Sequence, residues 1–166
     1  MRQSDGGLAI GTNGSPQTSM QQGQLKQIAV SNEASVKRED YLRNELSKTA
    51  PMKIPSTSTI KDEKKVGYDQ VTYKWKRGEF TYTARWHTRT PGAPKTQGNT
   101  WVIERKRAGI GRGPNARRSE NHILVGKNKW VSKKKWYDAI RAKKTGTATK
   151  EQKELLNNGH WKEQKQ

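Results

Sequence analysis

RWHTRTPGAPKTQGNTWVIERKR, residues 85–107, sets a histidine among cations, follows it with a turn-rich loop, and ends in an apolar run that carries a glutamate. The chain holds three histidines, His87, His122 and His160. Imidazole titrates near neutrality and so moves protons at ordinary pH. Arginine grips a phosphate through two parallel hydrogen bonds. A histidine, an arginine and a carboxylate close together form the set that cleaves RNA without a metal. A base takes the ribose 2′-hydroxyl proton, an acid protonates the departing 5′-oxygen, and cations stabilise the charge on phosphorus. His87, Arg85 and Glu104 are therefore the candidate catalytic residues, with His122 in reserve as the second proton carrier. Neighbouring cations lower the pKa of a free His87, and a bound phosphate or Glu104 would restore it. Plainer accounts exist for each. A strand-end histidine beside tryptophan can simply complete a hydrogen-bond network, and Glu104 can be a surface partner of Arg105 or Lys106. His160, between Gly159 and Trp161, reads as structural.

Metal chemistry finds no support in the spacing. No H-E-x-x-H or comparable pattern occurs, and the absence of cysteine removes thiolate ligands and thiol nucleophiles. Neither metal nor any other cofactor is expected.

The elements that must position these residues are strands. In VTYKWKR (71–77), Val71, Tyr73 and Trp75 alternate with Thr72, Lys74 and Lys76. EFTYTARWH (79–87) continues the pattern, with Phe80, Tyr82, Ala84 and Trp86 on one face and Thr81, Thr83, Arg85 and His87 on the other. Arg77-Gly78 suits a hairpin turn. TWVIERKR (100–107) is a third strand; with Trp101 and Ile103 inward, Glu104 and Lys106 join the face of His87. HILVG (122–126) is a fourth. Ser132 can cap a helix through Trp136, Ala139 and Ile140. Thr149 and Gln152 form a capping box opening a second helix, which Gly159 stops. The fold class is α+β: a small twisted antiparallel sheet with C-terminal helices.

Between the strands lie basic loops. Arg89 and Lys95 flank or enter TPGAPKTQGN (90–99), and AGIGRGPNARRSEN (108–121) carries Arg112, Arg117 and Arg118. The glycines of the second loop lack the Gly-Lys-Ser/Thr ending of a phosphate loop, so its arginines read as cations for backbone phosphates. Arg105, Lys106, Lys127 and Lys129 add to them, and Trp130 offers a ring on which a base could stack.

Composition divides the chain near residue 66. Residues 67–166 hold 24 basic and 8 acidic residues and all six tryptophans; residues 1–66 hold 10 and 7. The expected organisation is a mostly disordered linker over 1–66, with one helix in SNEASVKREDYLRNELSK (31–48) capped by Asn32 or Ser35, followed by a basic domain over 67–166. The helix would carry a thin stripe of Val36, Tyr41, Leu42 and Leu46. PMKIPSTSTIKDEKK (51–65) reads as linker. A chain starting at Val66 is thus expected to fold and keep its activity. The net charge of +19 calls for an anionic partner, with nucleic acid first, an acidic protein second and an anionic membrane third. No apolar run reaches the ~20 residues of a membrane span, and MRQSDGGLAIGTNGSP lacks the apolar core of a signal peptide.

The runs R-W-H-T-R-T-P-G-A-P, Q-G-N-T-W-V-I-E-R, G-K-N-K-W-V, G-T-A-T-K-E-Q and N-G-H-W, spread over residues 67–162, resemble the C-terminal toxin modules of bacterial polymorphic toxins of the contact-dependent inhibition, Rhs and wall-associated types. The resemblance implies a nuclease module, delivered as the secreted or surface-borne tip of a larger protein. It would act as a monomer in the target-cell cytoplasm and be neutralised by an acidic cognate immunity protein. Many such RNases look like the barnase, EndoU, colicin and RelE group, a small antiparallel sheet with flanking helices, and cut tRNA or rRNA. These groups use different catalytic residues, so the resemblance assigns none. A metal-dependent DNase and a non-enzymatic nucleic-acid-binding module remain as alternatives.

Overall fold

The computed structural model describes the backbone of residues 19–165 and side chains from residue 21. The first 18 residues of the expected linker, and Gln166, lie outside them. Two compact units divide the chain, residues 1–39 and 40–166. The sheet's unit thus begins at Asp40 rather than at 67.

Helix α1 spans Ser19–Asn44, longer than the expected 31–48 at its start. The Ser35 hydroxyl, inside it, donates to the Ser31 carbonyl rather than capping. Of the proposed stripe, Leu42 and Leu46 are buried, whereas Val36 and Tyr41 are exposed. A short 3₁₀ helix, Leu46–Thr49, continues the chain. Leu42, Leu46, Ala50 and Ile54 then pack against Val71, Tyr73, Trp86, Trp101 and Ile103 of the sheet. Two buried polar groups fix this layer: the Tyr73 hydroxyl donates to the Leu42 carbonyl at 2.5 Å, and Trp101 Nε1 donates to Thr49 Oγ1 at 3.0 Å.

Strands β1 (Thr59–Lys65), β2 (Tyr68–Arg77), β3 (Phe80–His87), β4 (Thr100–Arg107), β5 (Glu120–Gly126) and β6 (Lys129–Ser132) follow one another as an antiparallel meander. A short β7 (Trp161–Lys162) pairs with Thr100 and Trp101 of β4. Three of the seven strands, β1, β6 and β7, were not expected. TIKDEKK has weak strand propensity and a single apolar residue; pairing with seven residues of β2 makes it the sheet's edge. Gly78 takes φ 59 at the first central position of the two-residue β2–β3 turn, the left-handed conformation that position needs.

The alternation expected for β2, β3 and β4 is observed. Val71, Tyr73, Trp75, Ala84, Trp86, Trp101 and Ile103 are buried on one face. On the opposite face, α2 (Lys133–Lys144) and α3 (Lys150–Gly159) cover the β4–β5 half, where Val102, Ile123 and Val125 meet Trp136, Ala139 and Leu156. Both caps are present: Ser132 Oγ accepts from the Lys135 N–H, and Thr149 and Gln152 bond reciprocally. Gly159 lets α3 close on α2, since a Cβ there would stand 2.2 Å from the Trp136 ring. Among the described residues of the sheet's unit, no such helical layer covers the β1–β3 half of this face.

Candidate functional site

The half of the sheet left open is a cleft of about 550 Å³. Its floor is laid by register. Lys74, Thr83 and Glu104 stand in one cross-strand row, and Lys76, Thr81 and Lys106 in the next. Arg85 lies one alternation along β3, and Lys133, the first residue of α2, reaches down from the wall. Lys133 Nζ bonds Glu104 Oε1 at 2.9 Å in a part-buried pair. Among the described residues Lys74, Lys76, Arg85 and Lys106 form no ion pair. Glu79, at the hairpin end of the cleft, is engaged by Arg117 at 3.2 Å and Arg107 at 3.6 Å. Four uncompensated cations beside two paired carboxylates, Glu104 and Glu79, repel each other across an open surface. A bound anion of any kind would relieve that cost.

At the far end of β3 a second group forms. His87 lies beside His160, the C-cap residue just past α3, with ring centroids 6.4 Å apart. Tyr68 meets His87 edge-on at 6.2 Å, and Trp136 packs on His160 at 5.0 Å. His87 Nδ1 donates to the Thr88 carbonyl at 3.1 Å, and His160 Nδ1 donates to the Leu156 carbonyl at 2.6 Å. Nε2 of His87 has only a loose contact, 3.5 Å to Thr100 Oγ1. Burial pushes His87 below the ordinary histidine range; the Thr88 hydrogen bond opposes this and the Arg85 charge adds to it. Burial likewise lowers His160, against the Leu156 hydrogen bond, with His87 and Lys143 acting in the same direction as burial.

The expected catalytic set is therefore divided. Arg85 and His87 share a face, as the alternation required. Glu104 lies opposite Thr83, four residues along β3 from His87, or about 13 Å at ~3.3 Å per residue. That is beyond the reach of a shared phosphate, so Glu104 is not the proton partner of His87. His122 pairs with Arg105 in the register and faces the other side of the sheet, because odd-numbered Arg105 and even-numbered Glu104 alternate across β4. His122 cannot act with His87.

The proposed binding residues divide in the same way. Lys106 lines the cleft. Arg105 lies on the opposite face, its guanidinium between Phe80 (4.6 Å) and Trp130 (4.2 Å). Trp130 is covered by that cation and by the edge of Tyr82, so it is no open stacking platform. Arg117 anchors its loop through Glu79 and the Ala108 carbonyl, leaving Arg112 and Arg118 exposed upon it. Arg89 donates to the Ala93 carbonyl within the 88–99 loop, where Lys95 is exposed. Lys127 and Lys129 are exposed around the β5–β6 turn, in which Asn128 takes φ 53. Lys74, Lys76, Lys133 and His160 also stand in these two groups and were not among the expected site residues. The β2 lysines were legible as the polar half of an alternating strand; Lys133 and His160 were not, because their positions depend on how α2 and α3 pack.

Among the described residues no group of three or more His, Cys, Asp or Glu side chains could hold a metal ion, and no helix is long and apolar enough to cross a membrane. Compared with known families, curated proteins and solved structures, the chain matches none.

The two histidines make stability depend on pH. Both folded values lie below the unfolded one, near 6.5, so below that pH the unfolded chain binds more protons. The facing charges, Arg85 from β3 and Lys143 from α2, are cationic and oppose protonation. Stability should be highest above pH 6.5 and fall as pH drops from there through the folded values. A thermal midpoint series between pH 8 and 5 checks this; in the His87→Asn/His160→Asn chain the part of the slope below pH 6.5 should flatten.

Proposed function

We propose that this chain carries an endoribonuclease domain that needs no metal: the toxin module of a delivered bacterial protein, acting on tRNA or rRNA. The observation that carries the reading is the polar face of β3. It leads from Thr81 and Thr83 through Arg85 to His87, with Lys74, Lys76 and Lys106 unpaired beside it. Such a face offers phosphate-binding cations and, at its end, a proton carrier, which is what cleavage by the 2′-hydroxyl requires. Arg85 holds the phosphate next to His87, and the lysines hold those that follow along the strand. Glu104, tied to Lys133, keeps the α2 wall in register with the floor. An antiparallel sheet with flanking helices is also the architecture of the barnase, EndoU, colicin and RelE group, which adds support to the reading.

The same cations suit an acidic immunity protein lying over the cleft, whose association would slow steeply as salt rises. The direct test is incubation of the purified chain with total RNA in EDTA. Cleavage into fragments with 2′,3′-cyclic phosphate ends is expected. Cleavage that appears only on adding a divalent metal, or salt-sensitive binding with the RNA left intact, would replace this reading by a metal-dependent nuclease or by a binding module.

A further inference from the structure

We infer that His160 is the second proton carrier, and that His87 and His160 together form the acid–base pair of the reaction. This rests on the endoribonuclease reading and goes beyond it, since nothing in the sequence brought His160 to the site. Three observations carry the inference. The rings stand 6.4 Å apart and edge to face. An in-line displacement at phosphorus has its attacking and leaving oxygens on opposite sides, so two carriers must flank one phosphate, each within roughly 2.6–3.2 Å of an oxygen; a pair on this scale fits. Both Nδ1 atoms donate to backbone carbonyls, of Thr88 and Leu156. That fixes one tautomer in each ring and leaves each Nε2 as the proton-accepting atom. Finally, the side chains whose charges act on the two rings, Arg85 and Lys143, are cationic. Glu63, the carboxylate in the same cross-strand row as His87, is already taken up by Lys61, Lys65 and Gln70, so a phosphodiester supplies the anion that the two rings would share.

In the cleavage step Nε2 of the neutral ring takes the 2′-hydroxyl proton as the 2′-oxygen bonds to phosphorus. The bond from phosphorus to the 5′-oxygen breaks, its electron pair stays on that oxygen, and the other ring, protonated, delivers a proton there. The products are a 2′,3′-cyclic phosphate and a 5′-hydroxyl. The ring that began neutral ends charged and the other ends neutral, so proton exchange with water resets the pair.

The experiment follows the ring NMR signals of His87, His122 and His160 of the full chain against pH. It is run alone, with inorganic phosphate, and with a trinucleotide whose central ribose is 2′-deoxy and so cannot be cut. Both His87 and His160 should shift with the trinucleotide, and their titration midpoints should rise together, while the His122 signal should not respond to it. In a second arm, His160→Asn keeps an N–H for the Leu156 carbonyl but carries no proton. It should slow RNA cleavage ~10²–10⁴-fold, and the His87→Asn/His160→Asn chain should be no slower than the slower single variant, as for groups acting as a unit. A parent chain that cuts RNA while its His160 signal ignores the trinucleotide overturns this inference alone, as does a folded His160→Asn chain that cuts at the parental rate. If His160→Asn fails to fold, the NMR arm on the parent decides. A parent chain that leaves RNA intact in every condition overturns the endoribonuclease reading, and the catalytic role with it.

Discussion

A chain beginning at Val66 should lose cooperative unfolding altogether, the largest effect on stability that the structure implies. Such a chain lacks Leu42, Leu46 and Ile54, each 9 % exposed or less. Burying a large aliphatic side chain stabilises by about 1.5–3 kcal/mol, so their loss removes about 5–9 kcal/mol, an upper estimate because unfolded chains are already partly collapsed. A domain has only about 5–15 kcal/mol in all. The truncation also leaves the Tyr73 hydroxyl and the Trp101 indole N–H without their acceptors, Leu42 O and Thr49 Oγ1, at a cost of about 1–3 kcal/mol for each such group left buried and unpaired. It strips β1 from the edge of β2 as well. A chain starting at Asp40 keeps all of these and should unfold in one transition; circular dichroism against temperature for the two chains distinguishes them. A sharp transition in the Val66 chain would mean that the layer from Leu42 to Ile54 contributes little.

His87→Asn should lower RNA cleavage by ~10²–10⁴-fold, the usual cost of removing a proton-transfer group, with a much smaller change in thermal midpoint. Asparagine is the informative replacement. His87 is half-buried against Tyr68, His160 and Thr100, so alanine would leave a gap in that cluster and mix lost packing with lost chemistry. Asparagine can still donate to the Thr88 carbonyl but cannot shuttle a proton at neutral pH. Arg85→Lys provides the contrast: it keeps the charge while losing the planar fork, and should cut binding and rate less than His87→Asn cuts rate. A His87→Asn chain that cleaves at the parental rate would remove the β3 terminus from the mechanism and leave the cleft as a binding surface.

Alternation along single strands was legible from the residues alone. A side chain in a strand points up or down by parity, so Val71, Tyr73 and Trp75, and the opposing face of Thr81, Thr83, Arg85 and His87, followed without any knowledge of neighbours. Helix caps were legible for the same reason: Ser132, Thr149 and Gln152 act on backbone groups within one turn. The excess of cations beyond residue 66 likewise pointed to an anionic partner, since net charge needs no fold to be counted.

What required the tertiary structure was everything set by contact between distant segments. TIKDEKK became a strand because β2 offered it an edge, not because its residues favour one. Leu42 and Leu46 became core because the sheet gave them a surface; in the sequence they were half of a thin stripe whose other half, Val36 and Tyr41, stayed exposed. Parity along each strand suggested a common face for His87 on β3 and Glu104 on β4, but the distance between them depended on the register of β3 with β4, which no local rule sets. His122 went to the opposite face through the register of β4 with β5. His160 reached His87 only because α3 packs across the sheet and Gly159 leaves room for Trp136. Local propensity fixes which way a side chain points; register and packing, which are summed over many long-range contacts, fix what it meets.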